Sequence, residues 1–234
     1  MNEPTQSQAQ SVRPADEPLH ILIVTAVAAE RDAVLRGLDS RTGSAVFDVR
    51  SIGVGPAAAA AGTAMALAER SYGLVISAGI AGGFTAHAEL GELALADRII
   101  AADLGAETPD GFESVDELGF GTSVVECDPA WVDRCRQALD RAGLTVRTGP
   151  VLTVSTVTGT ADTAALLARR IPGAVAEAME GYGAAVAAQA RSLPVLELRA
   201  ISNRIGPRDR LAWRIKEALD ALADASAVLR EVIA

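Results

Sequence analysis

The sequence predicts a single α/β domain of three layers, α/β/α, around a central, mostly parallel or mixed sheet. Three observations lead there. Short apolar runs alternate with helical periodicity from residue 19 onward. Half of the 234 residues are hydrophobic but only 3% are aromatic, so Ala, Val, Leu and Ile must build the interior. That length suits one large domain with a full core, and no internal repeat or second domain is visible.

The elements follow in order. "LHILIVT" reads as a buried strand and Ala28 to Leu38 as a helix. "AVFDVRSI" is a strand, and "GPAAAAAGTAMALAER" a helix with Pro56 in its first turn. "YGLVISAG" is a buried strand running into a glycine loop, "GIAGGF", and "LALADRIIAADLGA" is a further strand. "ETPDGFESVDELGFGTS" reads as a loop. Asp128-Pro129 is a cap followed by a first-turn proline, so a helix starts there. "TVRTGPVLTVSTV" is a strand bent at Gly149-Pro150, "ADTAALLARRI" a helix, and "GAVAEAM" strand-like. "GYGAAVAAQARSL" is a helix and "PVLELRAIS" a strand that ends in Ser202 and Asn203. One amphipathic helix is expected from Asp209 to Ile233.

Composition excludes several function classes. The net charge is −9 and no block of Lys and Arg stands out, which argues against a nucleic-acid surface. No apolar run is long enough to span a membrane. His20 and His87 are the two histidines, and neither has Cys or a carboxylate cluster nearby, so no metal site is expected. Cys127 and Cys135 flank or lie on one predicted helix and read as reduced, structural thiols. Residues 1–18 are polar and proline-rich with no apolar signal core; they read as a disordered tail before a domain of residues 19–234. The expected location is cytoplasmic.

Ligands in layered α/β folds bind at the carboxyl ends of strands. Those ends carry Glu30, Gly53 and Gly55, Gly79 to Gly83, Ser155 to Thr158, Met179-Glu180-Gly181 and Ser202-Asn203. "GVGPAA" is a weak match to the dinucleotide fingerprint, because it does not follow the first strand; a tight turn explains it equally well. "SAGIAGGF" lets a ligand approach the backbone closely, or packs a turn. Glu30 alone reads as a surface residue. Glu180 closes an apolar run with no basic neighbour in sequence, which suggests a hydroxyl-rich or cationic ligand.

"TAVAAE", "SIGVGPAAAA", "SAGIAGGF", "AEAMEGYG" and "LRAISN" stand in an order and at spacings that resemble the purine nucleoside phosphorylase and nucleosidase superfamily. The resemblance covers residues 19 to 230, roughly the whole predicted domain. "MEGYG" and "AISNRIGPRDRLAWRI" look most like the futalosine hydrolase family, near the methylthioadenosine/S-adenosylhomocysteine nucleosidases. The resemblance implies a nucleoside phosphorylase-like fold and hydrolysis of an N-ribosidic bond. The implied reaction releases hypoxanthine and dehypoxanthine futalosine in menaquinone biosynthesis, without a cofactor. It gives Glu30 the role of base for water, Met179 packing on the ribose, and Glu180 the ribose hydroxyls. Ile80, Ala81, Gly82, Val157, Thr158 and Ser202 complete the substrate wall.

Asn203 stands where the methylthioadenosine relatives have aspartate. A carboxamide donates to a six-keto oxygen that a carboxylate repels, so Asn203 points to hypoxanthine rather than adenine. Between Ser51 and Thr85 the one arginine is Arg70, and Ile80 sits where a polar residue is expected, which favours water over phosphate. By resemblance Trp213 lines the 5′ end of the substrate. Arg204, Arg208, Arg210 and Arg214 surround it, and Arg208 is the preferred carboxylate partner. The resemblance also implies a homo-oligomer, dimer or tetramer. Another purine nucleosidase, a 6-oxopurine phosphorylase and a silent nucleoside-binding protein of this fold stay open.

Overall fold

The computed structural model describes residues 18–38 and 45–233. Apart from Pro18, the expected N-terminal tail lies outside the described residues. The chain begins β1 (His20–Thr25), α1 (Ala28–Leu38), β2 (Val46–Ser51), α2 (Pro56–Glu69), β3 (Leu74–Gly83) and β4 (Leu93–Ala101). A short hairpin, β5 (Gly105–Thr108) and β6 (Gly111–Ser114), leads to β7 (Val124–Glu126) and α3 (Pro129–Arg141). Then come β8 (Val146–Thr153), α4 (Ala161–Arg170), β9 (Ala176–Ala178), α5 (Gly181–Gln189), β10 (Val195–Arg204) and α6 (Ile215–Ile233).

The sheet is mixed, and part of it closes on itself. β3 pairs parallel with β10, β10 antiparallel with β4, β4 parallel with β8, β8 parallel with β9, and β9 antiparallel with β3. β1 and β2 extend this ring in parallel register from β3. β1 is paired to β3 over Leu74 to Ser77, while β9 meets β3 at Gly82 and Gly83. β3 therefore has a stretch between them, Ala78 to Ala81, that neither strand covers. That opening lies at the carboxyl end of β1, where α/β sheets bind ligands.

The core matches the composition. Ile21, Leu22, Leu74, Ile76, Leu95, Ile99, Leu196 and Leu198 are fully buried, with alanines of α5 packed over them. Asp128 caps α3, accepting from the N–H groups of Ala130 and Trp131 at 2.8 and 3.2 Å. Both cysteines are free and buried, and burial pushes their thiols up to about 12 for Cys127 and about 11 for Cys135.

Four expectations are corrected. "GIAGGF" is not a loop: β3 runs on to Gly83 because β10 pairs with it over its whole length. The expected loop from Glu107 holds the β5–β6 hairpin, whose two-residue connection is Pro109-Asp110 with Gly111 at φ 128°. β10 does not end at Ser202 but continues to Arg204. The last helix starts at Ile215 rather than Asp209. Asp209 instead caps a short 3-10 turn, Arg210–Ala212, by accepting from the Leu211 N–H at 3.1 Å. Trp213 is then extended, and the Arg214 N–H bonds back to the Ser202 carbonyl at 2.8 Å. No helix among the described residues is long and apolar enough to cross a membrane.

Candidate active site

A cavity of about 330 Å³ occupies the opening beside β3. That is at the small end of the range for ligand sites. Its walls come from segments far apart in sequence. The first turn of α1 gives Glu30, and the uncovered part of β3 gives Ile80, Ala81 and Gly82. The segment after β8 gives Val157 and Thr158, and the entry to α5 gives Met179 and Glu180. The end of β10 gives Ser202 and Asn203, and the loop beyond it Arg208 and Trp213. All twelve residues singled out from the sequence lie on this one wall.

Glu30 is 4% exposed. One carboxylate oxygen accepts from the N–H groups of Ala26 and Val27 at 3.0 and 3.2 Å, and the other from the Ile80 N–H at 2.9 Å. Three backbone donors on two elements leave its side chain little freedom. Glu180 accepts from the Gly55 and Met179 N–H groups, both at 3.3 Å. The glycines of "SIGVGP" thus serve the site through Gly55, which brings its N–H to this carboxylate.

Arg199 was not singled out from the sequence, and it answers the question that Glu180 raised. Its Nη1 lies 3.3 Å from Glu180 Oε2, its Nε donates to Glu197 at 2.8 Å, and its Nη2 donates to the Ser77 hydroxyl at 3.1 Å. The buried carboxylate is therefore paired within the protein, and its burial does not by itself require a cationic ligand. A Cβ on Gly79 would lie 2.6 Å from both Arg199 Nη1 and Glu30 Oε1. Glycine there is what lets the arginine and the Glu30 carboxylate converge on one side of β3. Glu197 has no exposure and one oxygen without a partner among the described residues. Burial, opposed by Arg199, pushes its carboxyl up to about 7. The signal for this pair was in the sequence: "LELRA" places opposite charges two apart in a buried strand, hence on one face.

At the other side of the cavity a β-bulge sets the geometry. Ile201 pairs with Ala81 and Asn203 with Gly82, so Ser202 is the extra residue. The bulge re-aims both side chains toward the cavity. The Ser202 hydroxyl lies 2.9 Å from Asn203 Oδ1 and 3.2 Å from the Ala81 carbonyl. Asn203 Nδ2 donates to the Arg204 carbonyl at 3.1 Å, which uses one of its two amide protons. A second residue missed from the sequence, Glu177, is 5% exposed and also lines the cavity. It accepts from the N–H and the hydroxyl of Thr158 at 2.8 and 2.5 Å.

The mouth is formed by Trp213 and its neighbours. The guanidinium groups of Arg208 and Arg210 stand 5.4 and 5.7 Å from the indole centroid. Arg204 pairs with Glu89 at 3.1 Å and Arg214 with Glu217 at 3.3 Å. Arg208 enters no ion pair among the described residues, and it alone of Arg208, Arg210 and Arg214 lines the cavity. No group of three or more His, Cys, Asp or Glu among the described residues could hold a metal ion.

A mixed α/β sheet, a cavity at its strand ends and two buried carboxylates beside a glycine-lined strand define the class. The chain belongs to the phosphorylase superfamily, whose family model matches residues 34–234. Within it the chain is similar to futalosine hydrolases. The chain is 54% identical to the futalosine hydrolase of Streptomyces coelicolor over 232 residues, covering 92% of this chain and 97% of that one. It is 51% identical to the futalosine hydrolase of Acidothermus cellulolyticus over 218 residues, covering 89% of each. In fold it is similar to S-adenosylhomocysteine nucleosidase from Streptococcus pyogenes, with a TM-score of 0.80 at 21% identity, over 94% of this chain and 99% of that one.

Proposed function

We propose that this chain is an N-glycosidase that hydrolyses the ribosidic bond of futalosine. The products are hypoxanthine and dehypoxanthine futalosine, in menaquinone biosynthesis. The observation that carries this reading is 54% identity with a futalosine hydrolase across nearly the whole of both chains. The closed end of the cavity supplies the chemistry such a reaction needs.

Cleavage of the bond between the sugar and the purine nitrogen leaves positive charge on the sugar ring. Glu30, fixed by three backbone donors, takes a proton from the attacking water. Glu180 accepts from the ribose hydroxyls and opposes the growing charge, with Arg199 holding it in place. Met179 packs on the sugar. The bonding electrons pass to the purine, which leaves as an anion while the remaining amide proton of Asn203 donates a hydrogen bond to its six-keto oxygen; solvent then protonates it to hypoxanthine, and Glu30 returns its proton to solvent. At the mouth, the Trp213 indole suits the aromatic ring of the 5′ group and Arg208 its carboxylate.

The enzyme acts as a cytoplasmic homo-oligomer in this reading. Val54, Met65 and Val186, on and beside α2 and α5, are exposed and offer an apolar face to a second copy. Sedimentation at working concentration tests that part, and a monomer overturns it. The reaction is tested by incubating the protein with futalosine, inosine and methylthioadenosine, with and without phosphate, and separating the free bases. Hypoxanthine released fastest from futalosine without phosphate is the expected result. A phosphate requirement, or faster release of adenine, overturns it.

A further inference from the structure

Glu197 does not line the cavity, and the proposed reaction gives it nothing to do. It stands on β10 two residues before Arg199, so both side chains leave one face of the sheet. In the parallel register with β3, Glu197 pairs with Ser77 and Arg199 with Gly79. The start of α5 covers this face: a Cβ on Gly181 would lie 2.1 Å from Glu197 Oε2. Glycines therefore make the room. Gly79 admits the guanidinium, and Gly181, next to Glu180 in sequence, admits the Glu197 carboxylate.

The guanidinium commits each edge to a different neighbour. Nε donates to Glu197 Oε1 at 2.8 Å, Nη2 to the Ser77 hydroxyl at 3.1 Å, and Nη1 stands 3.3 Å from Glu180 Oε2. Glu30 is treated differently. It too reaches the space that a methyl group on Gly79 would fill, beside Nη1, yet it accepts only backbone N–H groups among the described residues. An ion pair with Arg199 would make Glu30 a weaker base, because a neighbouring cation favours the ionised carboxylate. The bond at Nε holds one edge of the guanidinium and keeps Nη1 on Glu180. A planar fork turns as one body, so releasing Nε lets Nη1 swing toward Glu30.

We propose that Glu197 is a positioning residue: it tethers Arg199 through Nε, which commits the guanidinium to Glu180 and leaves Glu30 to act as the base. This inference rests on the nucleosidase reading of the cavity. The tether needs an acceptor at one point and not a charge. The charged and titratable groups facing Glu197 are Arg199 on its own strand, Glu180 at the start of α5 and Cys127 between β7 and α3. Burial pushes the Glu197 carboxyl up to about 7 against the pull of Arg199. Oε1 accepts from Nε whether or not the other oxygen, which has no partner among the described residues, carries a proton.

The experiment compares Glu197→Gln with Glu197→Asp, with urea midpoints to show that each is folded. Glutamine keeps the acceptor without the charge. Aspartate keeps the charge but withdraws it by one C–C bond, about 1.5 Å. Glu197→Asp should lower kcat for futalosine about 10–100-fold with little change in KM, and Glu197→Gln should recover most of that loss. The kcat profile of Glu197→Gln should follow that of wild type through pH 7. The Nε–H of Arg199, read in a proton–nitrogen spectrum, should be protected from exchange in wild type and Glu197→Gln and exposed in Glu197→Asp. Unchanged kcat in folded Glu197→Asp, a loss that lies in KM, or a kcat loss on the order of tenfold in folded Glu197→Gln overturns the proposal. The last of these needs only the isosteric variant to fold. The spectrum separates the tether from the reading beneath it. If Nε–H protection follows the acceptor while wild type leaves futalosine intact, the assigned reaction falls and the tether stands. If wild type turns over futalosine with an unprotected Nε–H, the tether falls and the reaction stands.

Discussion

The closed end of the cavity and its mouth are built from different materials. At the closed end Glu30 is held by three backbone N–H groups, and Glu180 by two N–H groups and Arg199. These groups sit on β-strands or at helix starts and are nearly free of solvent. At the mouth Trp213 is half-buried and Arg208 exposed, both in the segment between β10 and α6. Arg208 touches an indole face but no carboxylate among the described residues. The contrast separates two tasks. Groups that meet developing charge must be in place beforehand, because reorganising them during the reaction would raise the barrier. Groups that grip a substituent need only complementary chemistry within reach.

The sharpest way to break this division is Glu30→Gln. If the closed end carries the chemistry, turnover should fall on the order of 10²–10⁴-fold while ligand binding survives. Steady-state kinetics beside calorimetry decide it, and wild-type turnover removes Glu30 from the mechanism. Next comes Arg199→Met, which leaves Glu180 and Glu197 buried without their cation. Breaking a buried pair from one side costs about 3–5 kcal/mol, read as a lower urea midpoint. Wild-type stability would mean that the closed end is less dry than its burial implies.

Glu197 gives the same comparison a pH dependence. Its carboxyl is pushed up to about 7 in the fold, against an ordinary 4.5. Between these values the folded protein binds a proton that the unfolded chain has released. Stability from this group is complete below 4.5, falls as pH rises to 7, and is level above that, a loss of up to about 3 kcal/mol. Urea midpoints for wild type and Glu197→Gln from pH 4.5 to 8 check it, and the variant should show a flatter profile. The smallest effect belongs to the mouth. Arg208→Ala should lower futalosine turnover about 10–100-fold with little effect on inosine, which has no 5′ carboxylate. Equal losses on both substrates would place Arg208 with the closed end instead.

Much of the fold was legible because it is written locally. Asp128-Pro129 announces a helix start by its own capping chemistry, and the apolar runs of β1, β3 and β10 announce buried strands. The hairpin at Pro109-Asp110 was missed although its turn residues are characteristic, since four-residue strands carry too few side chains to show a period. The break at Trp213 was missed for a different reason. The helical pattern continues through it, but the Arg214 N–H is taken by the Ser202 carbonyl of β10.

The sequence by itself determined which chemical groups are available and on which kind of element each stands. Glu180 and Asn203 could be named from their places at strand ends, as could the glycines that let a ligand come close; Glu30 alone read as a surface residue, and its role came from the family resemblance, whereas the fold buries it. Only the tertiary structure decided which groups meet. Arg199 reaches Glu180 across nineteen positions of sequence, and Glu177 and Asn203 line one cavity only because β9 and β10 both pair with β3 at Gly82. The physical reason is register. Side chains alternate along a strand, so sliding one strand by a single residue would turn Glu177 away from the cavity. That register is set by the summed pairing of distant strands, including the bulge at Ser202, and no local stretch of sequence contains it.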